Sequence, residues 1–174
     1  MNSVSQDKID KIKAIVLDID GVLTDGCFGY STGDEIKFFN AADGHGIKMA
    51  MRTGLLVGVL SGRSCEANRK RIKELGMSFA YENCKDKKAG FATLLQENGL
   101  NAEQCLYVGD DVVDIPVLKQ AGIAVTVAGA ESYMDEYVDF RTRRDGGHGA
   151  VREVIDWLLQ RQGSWIKLME RYLS

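Results

Sequence analysis

Two aspartates, Asp18 and Asp20, end the apolar run Ala14-Ile15-Val16-Leu17 and are followed at once by Gly21. In an extended chain residues i and i+2 point the same way, so both carboxylates reach toward one point beyond the strand. Like charges held that close are costly unless a cation or a shared proton relieves them. Mg²⁺ suits the role, because it prefers carboxylate oxygens. A second acidic group follows a second apolar run, where Cys105 to Val108 leads into Gly109, Asp110, Asp111 and then Asp114. Asp110 at the strand's end is placed to share the cation with Asp18, and Asp114, one helical turn later, to pair with a lysine. Between these groups Ser61 ends the run Leu55 to Leu60 and opens the turn Gly62-Arg63. A hydroxyl beside the amides of a helix start is suited to a phosphate. Lys85, Lys87 and Lys88 open a later helix. Taken one at a time, each of these groups reads equally well as a cap or a solvated charge.

The elements that must position them follow from the pattern. Wholly apolar, β-rich runs at 14–17, 55–60, 77–81, 105–108 and 123–127 predict strands, the long ones buried on both faces as in a parallel sheet. Helical patterns over 47–53, 64–75, 85–98 and from about 112 to 121 end at Gly54, Gly76, Gly99 and Gly122, as left-handed caps. A short helix is expected over 131–137. Val151, Val154, Ile155, Leu158 and Leu159 mark another helix, and Trp165, Leu168, Met169 and Tyr172 a final one. The fold class is therefore α/β, doubly wound, with a mostly parallel sheet that binds ligands at the carboxyl ends of its strands. Phe28, Tyr30, Ile36 and Phe38 alternate around Gly33-Asp34 and predict a β-hairpin flap over 27–39. Residues 40–46 read as a glycine-punctuated loop, with Asp43 capping the helix after it. Arg63 and Arg71 lie about two turns apart, on one side of a helix, with guanidinium forks suited to a carboxylate. His148 sits in the glycine-rich loop 146–149 without an evident partner and is left outside the chemistry.

At 174 residues and 45% hydrophobic, the chain suits one domain spanning 1–174, with its core over about 13–163 and a tail at 164–174. A net charge of −3 argues against a nucleic-acid partner. No run is long enough to span a bilayer, and the polar N-terminus lacks the apolar centre of a signal peptide. Cys27, Cys65, Cys84 and Cys105 are scattered, which reads as reduced thiols and a cytoplasmic location.

Four segments in order, each at a strand's end, resemble the motifs of the haloacid dehalogenase (HAD) phosphatases: Asp18-x-Asp20, Ser61, a lysine that alignment over 81–95 makes Lys87, and Gly109-Asp110-Asp111-x-x-Asp114. The resemblance implies that Asp18 attacks phosphorus and Asp20 serves as general acid and base. It further implies that Ser61 and Lys87 neutralise the phosphate, while Asp18, Asp110 and the backbone carbonyl of Asp20 hold Mg²⁺. Asp111 and Asp114 would be supporting residues. No stretch has room for a cap domain, so the chain resembles the capless members, which borrow a neighbouring subunit to close the site. Along its length it is similar to the capless subfamily acting on 3-deoxy-D-manno-octulosonate (KDO) 8-phosphate. That implies a homotetramer, with substrate contacts from Asp20, Asn40, Ala41, Ala42, Asp43, Gly44, Lys48, Arg63, Arg71 and Lys87. The hairpin and the tail would then meet the adjacent subunit. Ala42 departs from the subfamily, which usually carries arginine there. Arg63 favours KDO over a sister activity on 9-phosphates of neuraminic-type sugars, whose members carry an acid at that position. A non-catalytic tetramerising module of the same fold is the other alternative, opposed by the intact Asp18, Asp20, Lys87 and Asp110.

Overall fold

Strands that are apolar on both faces have to lie between two layers of helices. The computed structural model, which describes residues 4–33 and 35–173, has that arrangement. Helix α1 (Gln6–Lys11) leads into β1 (Ala14–Leu17), followed by the hairpin strands β2 (Gly29–Tyr30) and β3 (Glu35–Ile36). Next come α2 (Ala41–Arg52), β4 (Leu56–Leu60), α3 (Glu66–Leu75), β5 (Phe79–Tyr81), α4 (Lys87–Asn98) and β6 (Cys105–Val108). The chain ends with α5 (Ile115–Leu118), β7 (Ile123–Thr126), β8 (Phe140–Arg141), α6 (Ala150–Arg161) and α7 (Trp165–Leu173). Six strands form one sheet in the order β5-β4-β1-β6-β7-β8, with every pairing parallel. Central β1 pairs with β4 on one side and β6 on the other, Leu17 lying opposite Val59 and Val108.

Strand alternation divides the core. Ile15 and Leu17 face a cluster built with Ile9, Ile47, Val154, Leu158 and Leu168, from α1, α2, α6 and α7. Ala14 and Val16 face a second cluster with Phe91 and Leu94 of α4 and Val117 and Leu118 of α5. The hairpin pairs Gly29 with Ile36 and Tyr30 with Glu35; Asp34, in the expected turn, lies outside the described residues. Among the described residues no helix is long and apolar enough to cross a membrane.

The structure corrects several boundaries. Residues 41–46 are the first turns of α2, not a loop. Asn40 caps them, its Oδ1 accepting from the amides of Ala42 at 2.8 Å and Asp43 at 3.4 Å. Gly44 and Gly46 hid this helix, because glycine is a poor helix former. Both are needed for close packing: a Cβ at Gly44 would strike the Arg71 guanidinium, and one at Gly46 would lie 2.9 Å from Arg152. The expected helix over 112–121 is instead a 3₁₀ turn at Val112–Asp114 followed by α5, which carries Pro116 in its first turn. Gly122 is no left-handed cap; it is packed against the carbonyl of Glu103. Helix α1 and strand β8, too short to show a period, were not expected.

Asp43 does not cap its own helix. It is buried, and its carboxylate accepts from the amides of Gly149 at 3.2 Å and Arg152 at 2.7 Å, so it caps α6 from across the fold. Replacing Asp43 with alanine strands those two amides, and the expected loss is about 2 kcal/mol. Urea unfolding of Asp43→Ala beside the parent chain measures it; a loss below about 0.5 kcal/mol would contradict the cap.

Candidate active site

The amide of Asp18 donates to the carbonyl of Val108 at 3.0 Å, extending the β1–β6 ladder by one bond. This places Asp18 beside Gly109-Asp110 at the carboxyl end of the sheet. Its Oδ1 accepts from the Ile19 amide at 2.7 Å, and its Oδ2 from Lys87 Nζ at 2.6 Å. Lys87 opens α4, whose cap is Asp86, accepting from the Ala89 amide. The same Nζ reaches Asp114 Oδ1 at 2.5 Å, so the pairing of Asp114 with the motif lysine stands. Asp114 is fully buried and fully used. Its Oδ1 also accepts from Tyr107 Oη at 2.5 Å, and its Oδ2 accepts from the amides of Asp110 and Asp111 at 3.0 and 3.3 Å.

Carboxylate oxygens of Asp18, Asp110 and Asp114 lie within 4.8 Å of one another. Three carboxylates and one ammonium leave two negative charges in a largely buried pocket. Burial, followed by the charge of Asp114, pushes Asp18 up to about 7; burial, followed by the charge of Asp18, pushes Asp110 up to about 7. Burial works against the Lys87 ammonium, but the flanking Asp18 and Asp114 outweigh it and hold the lysine above its ordinary value. Hard oxygen donors with a net double negative charge fit a dication such as Mg²⁺. Asp114 has no lone pair to spare, so Asp18 and Asp110 are the side chains with oxygens to offer.

A cavity of about 470 Å³ opens on this cluster, lined by Asp18, Asp20, Ser61, Arg63, Lys87 and Asp110, among others. Ser61 is buried at the end of β4, its Oγ accepting from the Arg63 amide at 3.3 Å. A larger hollow of about 600 Å³ lies at the far end of the sheet, around Thr53, Leu55 and Gly99, away from the acidic cluster. Gly21 follows Asp20 with φ +87°, and a Cβ there would collide with the Asp110 carboxylate, so only glycine lets the two loops approach.

Other residues singled out in the sequence are placed differently. Arg63 sits at the cavity, ion-paired with Glu35, 3.7 Å from Asp20 Oδ2 and stacked 4.4 Å over Phe28. It precedes α3 instead of lying on it, so it shares no helix face with Arg71. Arg71 donates to the Asn40 carbonyl at 3.1 Å and pairs with Glu74 at 3.0 Å. Lys48 donates to the carbonyls of Glu74 and Leu75, satisfying the end of α3. Ala41 and Ala42 are exposed on the first turn of α2, and Asp111 caps the 3₁₀ turn through the Val112 amide. Sequence reasoning missed Tyr107 and Lys37. Tyr107 reads as one more apolar strand residue, and Lys37 as a solvated residue between Ile36 and Phe38. The ammonium of Lys37 lies 2.5 Å from Asp20 Oδ1.

The parallel sheet brings a buried aspartate–lysine pair and a dication-ready acidic pair to its carboxyl edge, and the class of protein is a hydrolase. The chain belongs to the haloacid dehalogenase-like hydrolases, whose family model matches residues 33–122. More narrowly, it is 42% identical over 159 residues to the 3-deoxy-D-manno-octulosonate 8-phosphate phosphatase KdsC of Haemophilus influenzae, covering 91% of this chain and 88% of that protein. A solved cobalt-bound form of the H. influenzae phosphatase (YrbI) matches with a TM-score of 0.86 at 41% identity, covering 90% of this chain and 92% of that one. The Moraxella catarrhalis phosphatase, solved with magnesium, phosphate and KDO, matches with a TM-score of 0.93 at 32% identity, covering 99% of both chains.

The raised carboxyls carry a pH signature. An unfolded aspartate loses its proton near pH 4, so between about pH 4 and 7 the metal-free folded chain holds protons that the unfolded chain has released. The contribution of these groups to stability therefore falls as pH rises through that window. A dication replaces those protons. The rise in unfolding midpoint on adding Mg²⁺ is expected to be larger at pH 8 than at pH 5.5. Apparent affinity should weaken by up to about tenfold per pH unit below 7 for each proton displaced. Thermal melts at both pH values check this, and equal shifts would contradict it.

Proposed function

We propose that this chain is a Mg²⁺-dependent phosphatase that hydrolyses KDO 8-phosphate to KDO and inorganic phosphate. The observation that carries the reading is Asp18, nearly buried and held by Lys87 and the Ile19 amide at the mouth of a cavity that also contains Asp20. The KdsC activity of the relatives supports the choice of substrate. In this mechanism Asp18 attacks phosphorus in line while the bond from phosphorus to the sugar oxygen breaks. Asp20 gives its proton to that departing oxygen. Water then attacks the aspartyl-phosphate, its proton passes to Asp20, and release of phosphate restores Asp18. Ser61 and Lys87 offset charge on the phosphoryl oxygens. Asp18, Asp110 and the Asp20 carbonyl would hold Mg²⁺, which supplies further charge neutralisation when bound.

Arg63, the guanidinium lining the cavity, is proposed to take the sugar acid's carboxylate. Arg71, Lys48 and Asp43 are engaged in holding α2, α3 and α6 together, so their part in substrate binding is to shape the loops around the cavity. Ala42 stands where the KDO subfamily usually has arginine and contributes no guanidinium of its own, which weakens the choice of KDO; the alternative is the same reaction on a 9-phosphate of a neuraminic-type nine-carbon sugar acid. We further propose that one catalytic unit, 1–174, assembles as a homotetramer. The hairpin supports this, with Tyr30 and Phe38 each 76% exposed. A cytoplasmic location agrees with four free cysteines.

Phosphate release from KDO 8-phosphate is the test. Asp18→Asn is expected to lose at least about a thousandfold in turnover, because an amide cannot attack phosphorus. Arg63→Ala should raise KM about ten- to a hundredfold for the sugar acid and little for an aryl phosphate. Near-normal turnover by Asp18→Asn would sink the mechanism, and equal effects on both substrates would remove Arg63 from recognition. Light scattering on the eluted protein reads the assembly, and an active monomer would overturn that part.

A further inference from the structure

The returning arm of the hairpin inverts the usual pattern. Ile36 and Phe38 are 46% and 76% exposed, whereas the side chain of Lys37 between them has 0% exposure. Alternation along an extended segment would as readily have buried the two apolar residues and left the lysine in water. A buried ammonium is costly unless it is paired. Within the one chain, therefore, apolar burial does not fix which way this segment faces. Lys37 Nζ lies 2.5 Å from Asp20 Oδ1 and 3.8 Å from Glu35 Oε2. Asp20 Oδ2, by contrast, is shielded from water and accepts no hydrogen bond among the described residues; Arg63 Nε, at 3.7 Å, is its charged neighbour. Lys37 itself does not line the cavity, whereas Asp20 and Arg63 do.

We infer that Lys37 is a positioning residue: by holding Oδ1 it fixes the Asp20 carboxylate at the edge of the cavity, where Asp20 exchanges its proton. The proton leaves Asp20 for the departing sugar oxygen, and the attacking water returns one to it. Lys37 touches neither phosphate nor sugar and acts only through Asp20. The inference rests on the phosphatase reading above and extends it to a residue on the hairpin.

The test is Lys37→Met, which keeps most of the stem and removes the ammonium, read by leaving group. Asp20's proton matters for the departure of an alkoxide and hardly at all for that of p-nitrophenolate. With Mg²⁺ present and rapid mixing, the variant should release p-nitrophenolate in a first-turnover burst at a rate within about twofold of the parent chain, while single-turnover cleavage of KDO 8-phosphate falls by about a hundredfold. Steady-state turnover of both substrates should fall, because hydrolysis of the aspartyl-phosphate also needs Asp20. Lys37→Arg, which keeps the charge but displaces the donor, should fall between the two and carries the same comparison if Lys37→Met does not fold. Equal slowing of phosphoryl transfer from both substrates would overturn the assignment, as would a folded variant slowed on neither. If the parent chain itself releases no phosphate from either substrate, the phosphatase reading fails first, and that outcome is separable from the others.

Discussion

One ammonium organises the catalytic end of this protein. Lys87 Nζ sits between Asp18 at 2.6 Å and Asp114 at 2.5 Å, with all three side chains largely out of water. A buried charge of either sign is expensive alone, and one buried lysine makes two buried aspartates tolerable. The remaining excess of negative charge, centred on Asp18 and Asp110, is what a dication is attracted to. The same lysine joins three different loops, since Asp18 follows β1, Lys87 opens α4 and Asp114 precedes α5. Tyr107 secures the arrangement from within the sheet, its hydroxyl on Asp114 and its ring 6.4 Å from that of Phe91.

A second set of contacts steadies the loop after Asp18. The Gly147 amide donates to the Val22 carbonyl at 3.0 Å, and Asn40 Nδ2 donates to the Gly147 carbonyl at 3.3 Å. Asp43, one turn into α2, closes the chain of contacts by capping α6 just beyond that loop. The turn Gly21–Asp25 is thus held from behind by backbone atoms, whereas the hairpin addresses Asp20 from the other side through Lys37. Asp18 is fixed by the sheet and Asp20 by the flap, so the two carboxylates are held by separate parts of the fold.

Most of the framework was legible because the sheet is parallel and doubly buried. Runs such as Ala14 to Leu17 and Cys105 to Val108 are apolar without interruption, and acids at their ends stand out against them. Asp18, Ser61, Lys87 and Asp110 converge on one cavity as their positions implied. What escaped had no one-dimensional signature. The start of α2 was hidden by Gly44 and Gly46, present because Arg71 and Arg152 lie against them. Asp43 was a plausible cap for its own helix, and only the fold reveals that it caps α6. Lys37 looked solvated because its burial depends on Asp20, 17 positions earlier. Arg71 and Lys48 carry charges suited to a ligand, but backbone carbonyls of the same chain already occupy them.

The strand order has a bearing on how the chain comes off the ribosome. Asp18 and Lys87 are 69 positions apart, and β1 cannot complete its hydrogen bonds until β6 has been made. Through most of synthesis one edge of the central strand stays open, an apolar ribbon with unpaired amides and carbonyls. Such contacts form late, because the closure of a long loop comes first. No product of translation that stops short of Asp114 would then hold the acidic cluster together. A nascent chain has no such site for a dication until β6 and the turn after it have been made.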